Sequence, residues 1–379
     1  LFRLEEFKLP EFKVAVSTPE KDGRKQTFRL GDVVEAEVQA DYYSGGPVAN
    51  ASVEVVVRQR PYYRWWYPPC EYGWFYRDLQ PQNHWWGGEG QVVKQETVKT
   101  DAGGRARVKF ETQRSGQELE YTIEARVTDA SRREIVGRGS VRVGSQRYFV
   151  HVTPENRLRR PGQKAELTLR ALDANDQPMG VTGKVQVVRL VWNEKWIHPV
   201  TRRVQRGYEE KEISLQGVTI ATNGEAEFVF TPAEAGYYAV RWRSPQEGGA
   251  PVTAEGQVWA TTEKEEDIGY LHAGGVEIVV DKDTFREGET ASVMLATPAS
   301  GRWVLFGVEG QDLYDYQVVK LDGAAKLVQL PVVEKHVPNI FLTAACFSDA
   351  EISADQKQVI VPPGKHYLSV TVTAYRAAY

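Results

Sequence analysis

Short runs in which apolar and polar residues alternate recur through the 379-residue chain, and they constrain its fold more than any other feature. Alternation with a period of two puts every second side chain on one face of a β-strand, which is typical of a strand with one buried face. Apolar spacing of the helical type is almost absent. The sequence therefore predicts an all-β protein built from antiparallel sheets that each hide one face.

The order of these strand signals repeats three times along the chain. Each copy begins with a strand, a turn of the form Arg-x-Gly followed by Asp, Gln or Glu, and a second strand, at 12–40, 148–171 and 276–297. A hairpin with Asp, Asn or Gly in its turn follows, and a last pair of strands ends the copy. About seven strands in roughly 100 residues are typical of an immunoglobulin-like sandwich. We therefore predict seven-stranded antiparallel β-sandwiches in tandem.

Composition sets the predicted boundaries between these sandwiches. A charged, Gly-containing stretch before the third copy and a Pro-Pro-Gly sequence after it both indicate linkers. The short join between the first two sandwiches leaves little slack, so we expect the later linker to be the hinge. The predicted parts are a first sandwich at 1–143 with an insertion at 58–90, a second at 144–262, a linker at 263–275, a third at 276–363, and the first strand of a truncated fourth domain at 364–379.

The insertion at 58–90 holds the densest group of aromatic residues, including half of the 10 Trp of the chain. Rings that face solvent would stack on sugars or contact a partner protein. Rings that face inward would instead anchor this long segment on its own sandwich or on a neighbouring domain. The sequence leaves these interpretations open. The candidate contact residues are Trp65, Trp66, Trp74, Phe75, Trp85 and Trp86.

Charge and hydropathy argue against several classes of function. The net charge is only −4 and no basic run occurs, so we expect no nucleic-acid partner. No apolar run reaches the roughly 18 residues that a membrane-spanning helix needs, so we expect no transmembrane segment. The chain opens at Leu1 without the pattern of a signal peptide and closes on a strand-like segment. We therefore expect it to be a piece of a longer protein.

The titratable residues do not form a recognisable reactive set. One acidic run resembles a calcium-binding loop in its sequence, and its carboxylates are Asp281, Asp283, Glu287 and Glu289. The run lacks the Gly at the sixth position and the acid at the twelfth position that such a loop requires. No nucleophile elbow or phosphate-binding loop is present. We expect no enzymatic activity, no cofactor and no metal site. The histidines, none of which has the spacing of a metal-binding pair, are His84, His151, His198, His272, His336 and His366.

Two phrases of the sequence resemble the macroglobulin-domain array of the alpha-2-macroglobulin family. They are E-E-F-x-L-P-x-F at 5–12 and A-x-Y-x-x-G-x-P-V-x-N-A at 40–51. The segments 236–244 and 276–295 are similar to later domains of that family, and the aromatic insertion is typical of its bacterial branch. The resemblance covers essentially the whole chain. It implies a series of seven-stranded macroglobulin sandwiches.

The resemblance also implies a function, which is broad-range inhibition of proteases by entrapment after they cleave a bait segment. Its partners would be proteases and neighbouring domains, and the full-length protein would be periplasmic, membrane-anchored or secreted. The family's thioester sequence, Cys-Gly-Glu-Gln, is matched at neither Cys70 nor Cys346, so no thioester carries over. No long polar segment is evident as a bait. We therefore expect a scaffold piece.

Two rival functions stay open from the sequence. Tandem immunoglobulin-like domains also form structural or adhesive stalks at cell surfaces. The aromatic insertion would alternatively suit a carbohydrate-binding module.

Overall fold

Three pairs of β-sheets follow one another along the chain, which confirms the predicted all-β class of immunoglobulin-like sandwiches. We call these pairs the first, second and third units. Within the described residues, no helix combines the length and apolar character needed to cross a membrane. The structure is a computed structural model that describes residues 11–21, 23–62, 90–198, 203–245, 251–262, 275–348 and 350–365.

The strands divide among the three units. Those of the first unit are β1 (Phe12–Ser17), β2 (Glu20–Lys21), β3 (Arg24–Lys25), β4 (Phe28–Arg29), β5 (Val33–Tyr42), β6 (Ser52–Pro61), β7 (Gln91–Lys99), β8 (Arg105–Glu111), β9 (Leu119–Thr128) and β10 (Glu134–Gly144). Those of the second are β11 (Phe149–Pro154), β12 (Leu158–Arg159), β13 (Ala165–Leu172), β14 (Val181–His198), β15 (Arg203–Ile220), β16 (Glu225–Phe230), β17 (Gly236–Arg243) and β18 (Thr253–Ala260). Those of the third are β19 (Glu277–Val280), β20 (Thr290–Ala296), β21 (Trp303–Glu309), β22 (Leu313–Lys320), β23 (Ala325–Pro331), β24 (Asn339–Ser348) and β25 (Glu351–Ile360), with a 3-10 helix at Glu334–His336.

Each unit combines a three-stranded sheet with a larger one. The order in the first unit is β1-β5-β8 and β4-β10-β9-β6-β7, and the second unit repeats it as β11-β13-β16 and β12-β18-β17-β14-β15. The third unit has β19-β20-β23 and β22-β21-β24-β25. The two-residue strands β4 and β12 pair in parallel with β10 and β18 and add an eighth strand to each of these two sandwiches, beyond the seven expected. In the third unit a single parallel bridge, Thr284 to Ile360, takes this place. In the first unit, β2 and β3 form a separate two-stranded sheet.

Alternation along the strands creates one apolar core inside each unit. In β5, Val34, Ala36 and Val38 are fully buried while Glu35 and Glu37 point to the outer face. Separate clusters of this kind fill the first, second and third units. Because burial removes apolar surface from water at about 25 cal/mol per Å², each core holds its own two sheets together.

The Arg-x-Gly turn has the same hydrogen bonds in all three units, which explains its sequence. The backbone N–H of the Arg donates to the side-chain oxygen of the fourth residue, and the N–H of that fourth residue donates to the carbonyl of the Arg. An Asp, Gln or Glu is needed to accept the first of these bonds. The three Arg and acceptor pairs are Arg29 with Asp32, Arg160 with Gln163, and Arg286 with Glu289.

The glycine of this turn is required by its backbone. Gly31, Gly162 and Gly288 have φ values of 96°, 84° and 91°, which residues with a Cβ adopt only at a cost. A Cβ added to Gly162 or Gly288 would meet no other atom within 4 Å. The constraint at these two positions is therefore conformational and not steric.

Gly162→Ala should lower the free energy of unfolding of the second unit by about 1–2 kcal/mol, the cost of holding a non-glycine residue at positive φ. Gly217→Ala is the matched control, since Gly217 lies in β15 of the same unit with open space around its Cβ and no positive φ. Chemical denaturation of both variants measures the difference. Equal denaturation midpoints for the two variants would contradict a conformational requirement for glycine at position 162.

Candidate functional site

The aromatic insertion joins β6 to β7 at the end of the larger sheet of the first unit. Gln59 pairs with Gln91 on the returning strand, and the N–H of Tyr62 donates to the carbonyl of Glu118 at 2.8 Å. The insertion therefore leaves the fold from a fixed hairpin end. Its candidate contact residues lie outside the described residues, and their role stays a prediction: Trp65, Trp66, Trp74, Phe75, Trp85 and Trp86.

The start of the insertion lies where the first and second units meet. Tyr62 lines a cavity of about 410 Å³ together with Glu118 of the first unit and Val150 and Val252 of the second. The guanidinium of Arg142 lies 4.5 Å from the centre of the Tyr62 ring, a cation–π geometry. The described end of the insertion, at Tyr62, therefore lies close to both units.

The joint between the first and second units is polar. Arg142 pairs with Asp176 at 2.7 Å, and Arg24 donates to the carbonyl of Pro178 at 3.3 Å. The Asn175 amide approaches the carbonyls of Lys25 and Gln26 at 3.4 Å each. Exposed pairs of this type contribute about 0.2–1 kcal/mol each. The polar contacts described at this joint are therefore individually weak.

The joint between the second and third units is an apolar interface between two sheets. The outer face of the five-stranded sheet of the second unit packs against the outer face of the three-stranded sheet of the third. Tyr237 and Trp259 meet edge to face here, with ring centres 5.0 Å apart. The buried cluster consists of Leu158, Val188, Tyr237, Ala239 and Trp259 from the second unit, and Val279, Met294, Ala296, Ala324 and Ala325 from the third.

Polar contacts at the edge of this interface use two carboxylates of the calcium-like run. Asp281 accepts hydrogen bonds from the Asn156 side chain at 2.6 Å and from the Leu158 N–H at 3.1 Å. Arg157 forms a bidentate pair with Asp283 at 2.5 and 2.7 Å. The run that resembles a calcium loop thus fixes the second unit to the third.

The other two carboxylates of that run also have protein partners. Glu287 pairs with Lys365 at 2.8 Å, and Glu289 accepts from the backbone N–H of Arg286 at 3.0 Å. Among the residues that the structure describes, no three His, Cys, Asp or Glu side chains are grouped as a metal site requires.

The two joints differ in the chemistry of their contacts. Linker length predicted the more movable joint at 263–275, yet the units on either side of it share an apolar interface. The short join at 141–150 connects units that meet through a few polar contacts. Linker length takes no account of the chemistry of the facing surfaces, and the hinge at 263–275 stays a prediction.

The outer face of the larger sheet in the first unit is charged. Glu124, which is 7% exposed, accepts hydrogen bonds from Arg126 and Arg138 at 3.0–3.1 Å. Burial raises the pKa of the Glu124 carboxyl, but these hydrogen bonds outweigh it and hold the pKa below its usual value. The Arg60 guanidinium pairs with Glu120 on the same face. A face of this kind is stable in water without a cover.

Comparison with known proteins shows similarity to alpha-2-macroglobulins. The model of the alpha-2-macroglobulin bait region domain matches residues 276–379. An alpha-2-macroglobulin homolog of Nostoc sp. is 23% identical over 367 residues, which cover 90% of this chain and 18% of the relative. The alpha-2-macroglobulin of Thermotoga maritima is 25% identical over 354 residues, with coverages of 92% and 18%.

Residues 276–379 thus match a domain of the alpha-2-macroglobulin family, and most of the chain is similar in sequence to two bacterial alpha-2-macroglobulins. The chain spans 18% of the length of the curated relatives it matches. A solved structure of trypsin-activated alpha-2-macroglobulin from Escherichia coli is 16% identical, with a TM-score of 0.37 and coverages of 95% of this chain and 24% of that one. Because that TM-score is low, the similarity to this family rests on the sequence matches.

The bait-region match concerns a part of this chain in which the sequence alone revealed no bait. It begins at the third unit and continues through 366–379, which lie outside the described residues. The repeat pattern identified the region only as a third sandwich and the start of another. No residue pattern in it pointed to a bait region, so this assignment came from the family comparison alone.

The cysteines of this chain differ from the family's thioester pattern. Cys346 is a free thiol in β24, 2% exposed and packed in the core of the third unit. It is followed by Phe347 and Ser348 and not by Gly-Glu-Gln. Cys70 lies outside the described residues.

A buried histidine, His336, makes the stability of the third unit depend on pH. His336 is 3% exposed, stacks on Tyr314, and accepts a hydrogen bond from the Val333 N–H at its Nδ1. That bond requires the neutral ring. Burial lowers the pKa of His336, and the charge of Lys335 acts in the same direction. His151 lies in β11 and His198 ends β14, while His84, His272 and His366 lie outside the described residues.

The third unit should lose stability as the pH falls below about 6.5, the ordinary His pKa, because the unfolded chain then binds a proton that the folded His336 does not. The loss is at most about 1.4 kcal/mol per pH unit and continues until the pH reaches the lowered pKa of the folded state. Urea denaturation at several pH values, with His336→Gln as control, measures it. An unchanged pH slope in the variant would contradict this origin.

Met294→Lys should separate the second and third units, since Met294 is fully buried in their interface and an unpaired charge there is costly. We expect the radius of gyration from small-angle X-ray scattering to increase. Val229→Lys is the control, because Val229 is 44% exposed in β16, on the three-stranded sheet of the second unit. An unchanged radius in Met294→Lys would mean that the interface does not hold the units.

Proposed function

We propose that this chain is a scaffold part of a protease trap of the alpha-2-macroglobulin type, without catalytic activity of its own. The match of 276–379 to the bait region domain carries the proposal. In such a trap an endopeptidase cleaves the bait and is then enclosed by the surrounding domains. Because the chain spans 18% of its curated relatives, the activity would belong to a larger polypeptide in which this chain is one section.

The architecture supports a scaffold role. Each unit has its own core, and the second and third units are joined by an apolar interface that includes the region matched to the bait domain. A wall element of a cage must keep its shape while a neighbouring segment is cut. We propose that the units are macroglobulin domains with limits at 1–143, 144–262 and 276–363, and that 364–379 begins a fourth.

The proposed partners are endopeptidases and neighbouring domains of the same polypeptide. Entrapment requires contact with proteases outside the cytoplasm, so we propose a periplasmic, membrane-anchored or secreted location for the full-length protein. Neither a cofactor nor a metal ion has a part in this scheme.

Incubation of the full-length polypeptide with unrelated endopeptidases tests the proposal. Protease activity on a large protein substrate should fall while activity on a small peptide substrate persists, because an enclosed protease stays reachable only by small molecules. The 379-residue chain alone is the control and should leave both activities unchanged.

Unchanged activity on both substrates with the full-length polypeptide would overturn the trap and favour a surface stalk. Quenching of Trp fluorescence by oligosaccharides, lost on Trp65→Ala or Trp85→Ala, would instead favour a carbohydrate-binding module.

A further inference from the structure

The outer face of the four-stranded sheet in the third unit is apolar and exposed. We call it the β22–β25 face and define it by Trp303, Leu305, Tyr316, Val318, Phe347 and Ile352, which are 58%, 49%, 65%, 60%, 71% and 75% exposed. Leu305 pairs with Val318 and Phe347 with Ile352 across neighbouring strands, so these side chains stand together on one side of the sheet. Contiguous exposed patches of this kind mark interaction sites.

The described outer faces of the first unit are charged. The five-stranded sheet of the first unit carries Glu120, Glu124 and Arg138 there. On its three-stranded sheet, Arg107 lies 3.6–3.9 Å from Glu35 and Glu37, and Lys109 pairs with Glu35 at 2.9 Å. An apolar outer face is therefore not a requirement of the fold, and the β22–β25 face needs its own explanation.

The corresponding face of the second unit shows what covers an apolar sheet. Val188, Tyr237, Ala239 and Trp259 stand on its five-stranded sheet and are at most 4% exposed, because the three-stranded sheet of the third unit lies on them. The four-stranded sheet of the third unit occupies the same place in the repeated topology. The covered and the exposed face thus belong to equivalent sheets.

The sequence pattern of the strands agrees with this comparison. Strands with one solvated face alternate, whereas β17 contains the continuous run Tyr237–Val240, and all four residues are buried. The strand β21 reads Trp-Val-Leu-Phe-Gly-Val over 303–308, a continuous run of the same type, although Trp303 and Leu305 are exposed. The composition of β21 is that of a strand buried on both faces.

We propose that the β22–β25 face is the docking surface for another β-sandwich of the same polypeptide, which covers it with its three-stranded sheet as the third unit covers the second. The proposal rests on the proposed function in one respect, that the chain is one section of a larger polypeptide. The curated relatives, of which the chain spans 18%, have room for such a sandwich. Its contacting face should carry small and aliphatic residues, as Val279, Met294 and Ala296 do in the known interface.

Hydroxyl-radical footprinting of the 379-residue chain and of the full-length polypeptide tests the proposal. Trp303, Tyr316 and Phe347 should be labelled in the 379-residue chain at every protein concentration and should lose labelling in the full-length polypeptide. Tyr43, which is 64% exposed in the first unit, is the internal control and should be labelled equally in both. Equal labelling of Trp303 and Phe347 in the two proteins would overturn the proposal.

Protection of Trp303 that grows with the concentration of the 379-residue chain would also overturn it, because the occupant would then be a second copy. The double variant Leu305→Lys with Ile352→Lys adds a second measurement. It should leave the thermal midpoint of the 379-residue chain unchanged, since both side chains are exposed there, and lower that of the full-length polypeptide. Equal shifts in the two proteins would contradict docking on this face.

Failure of this proposal is distinguishable from failure of the proposed function. A polypeptide that protects Trp303 but does not enclose proteases would retain the docking surface and lose the trap. A polypeptide that encloses proteases while Trp303 stays fully labelled would support the trap and contradict the docking surface.

Discussion

Burial of alternate side chains is the constraint on which this structure depends. In β5, Val34, Ala36 and Val38 enter the core while Glu35 and Glu37 stay outside, and the same alternation forms the cores of all three units. A sheet has two faces, however, and the core uses only one of them. The chemistry of the second face then decides whether a sheet is exposed to water or is covered by the next unit.

That second face explains how the units are joined. The charged outer face of the first unit is compatible with solvent, and among the described residues its joint to the second unit includes polar contacts such as that of Arg142 in β10 with Asp176. The apolar outer face of the second unit is covered by the third, with Asp281 and Asp283 fixing the edge. A trap that closes after bait cleavage would have a firm block in the second and third units and a looser connection to the first.

The sequence predicted the features that depend on local chemistry. Strand alternation and the Arg-x-Gly turns depend on residues that are neighbours in the sequence. The hydrogen bonds of Arg29, Arg160 and Arg286 form within these turns. The joints were not predicted, because they depend on which outer faces meet in space. A signal for the joint between the second and third units was present in the continuous apolar run of β17, where alternation fails. The aromatic insertion lies outside the described residues, so the role of its rings stays a prediction.

An experimental density map of the full-length polypeptide at side-chain resolution would test whether the chemistry of the outer faces determines the assembly. We expect Arg126 and Arg138 to be exposed to solvent above Glu124, Tyr237 and Trp259 to lie against Met294, and Trp303 and Phe347 to lie beneath the three-stranded sheet of another sandwich. A map with Met294 separated from Trp259, or with Trp303 and Phe347 open to solvent, would contradict this dependence on face chemistry.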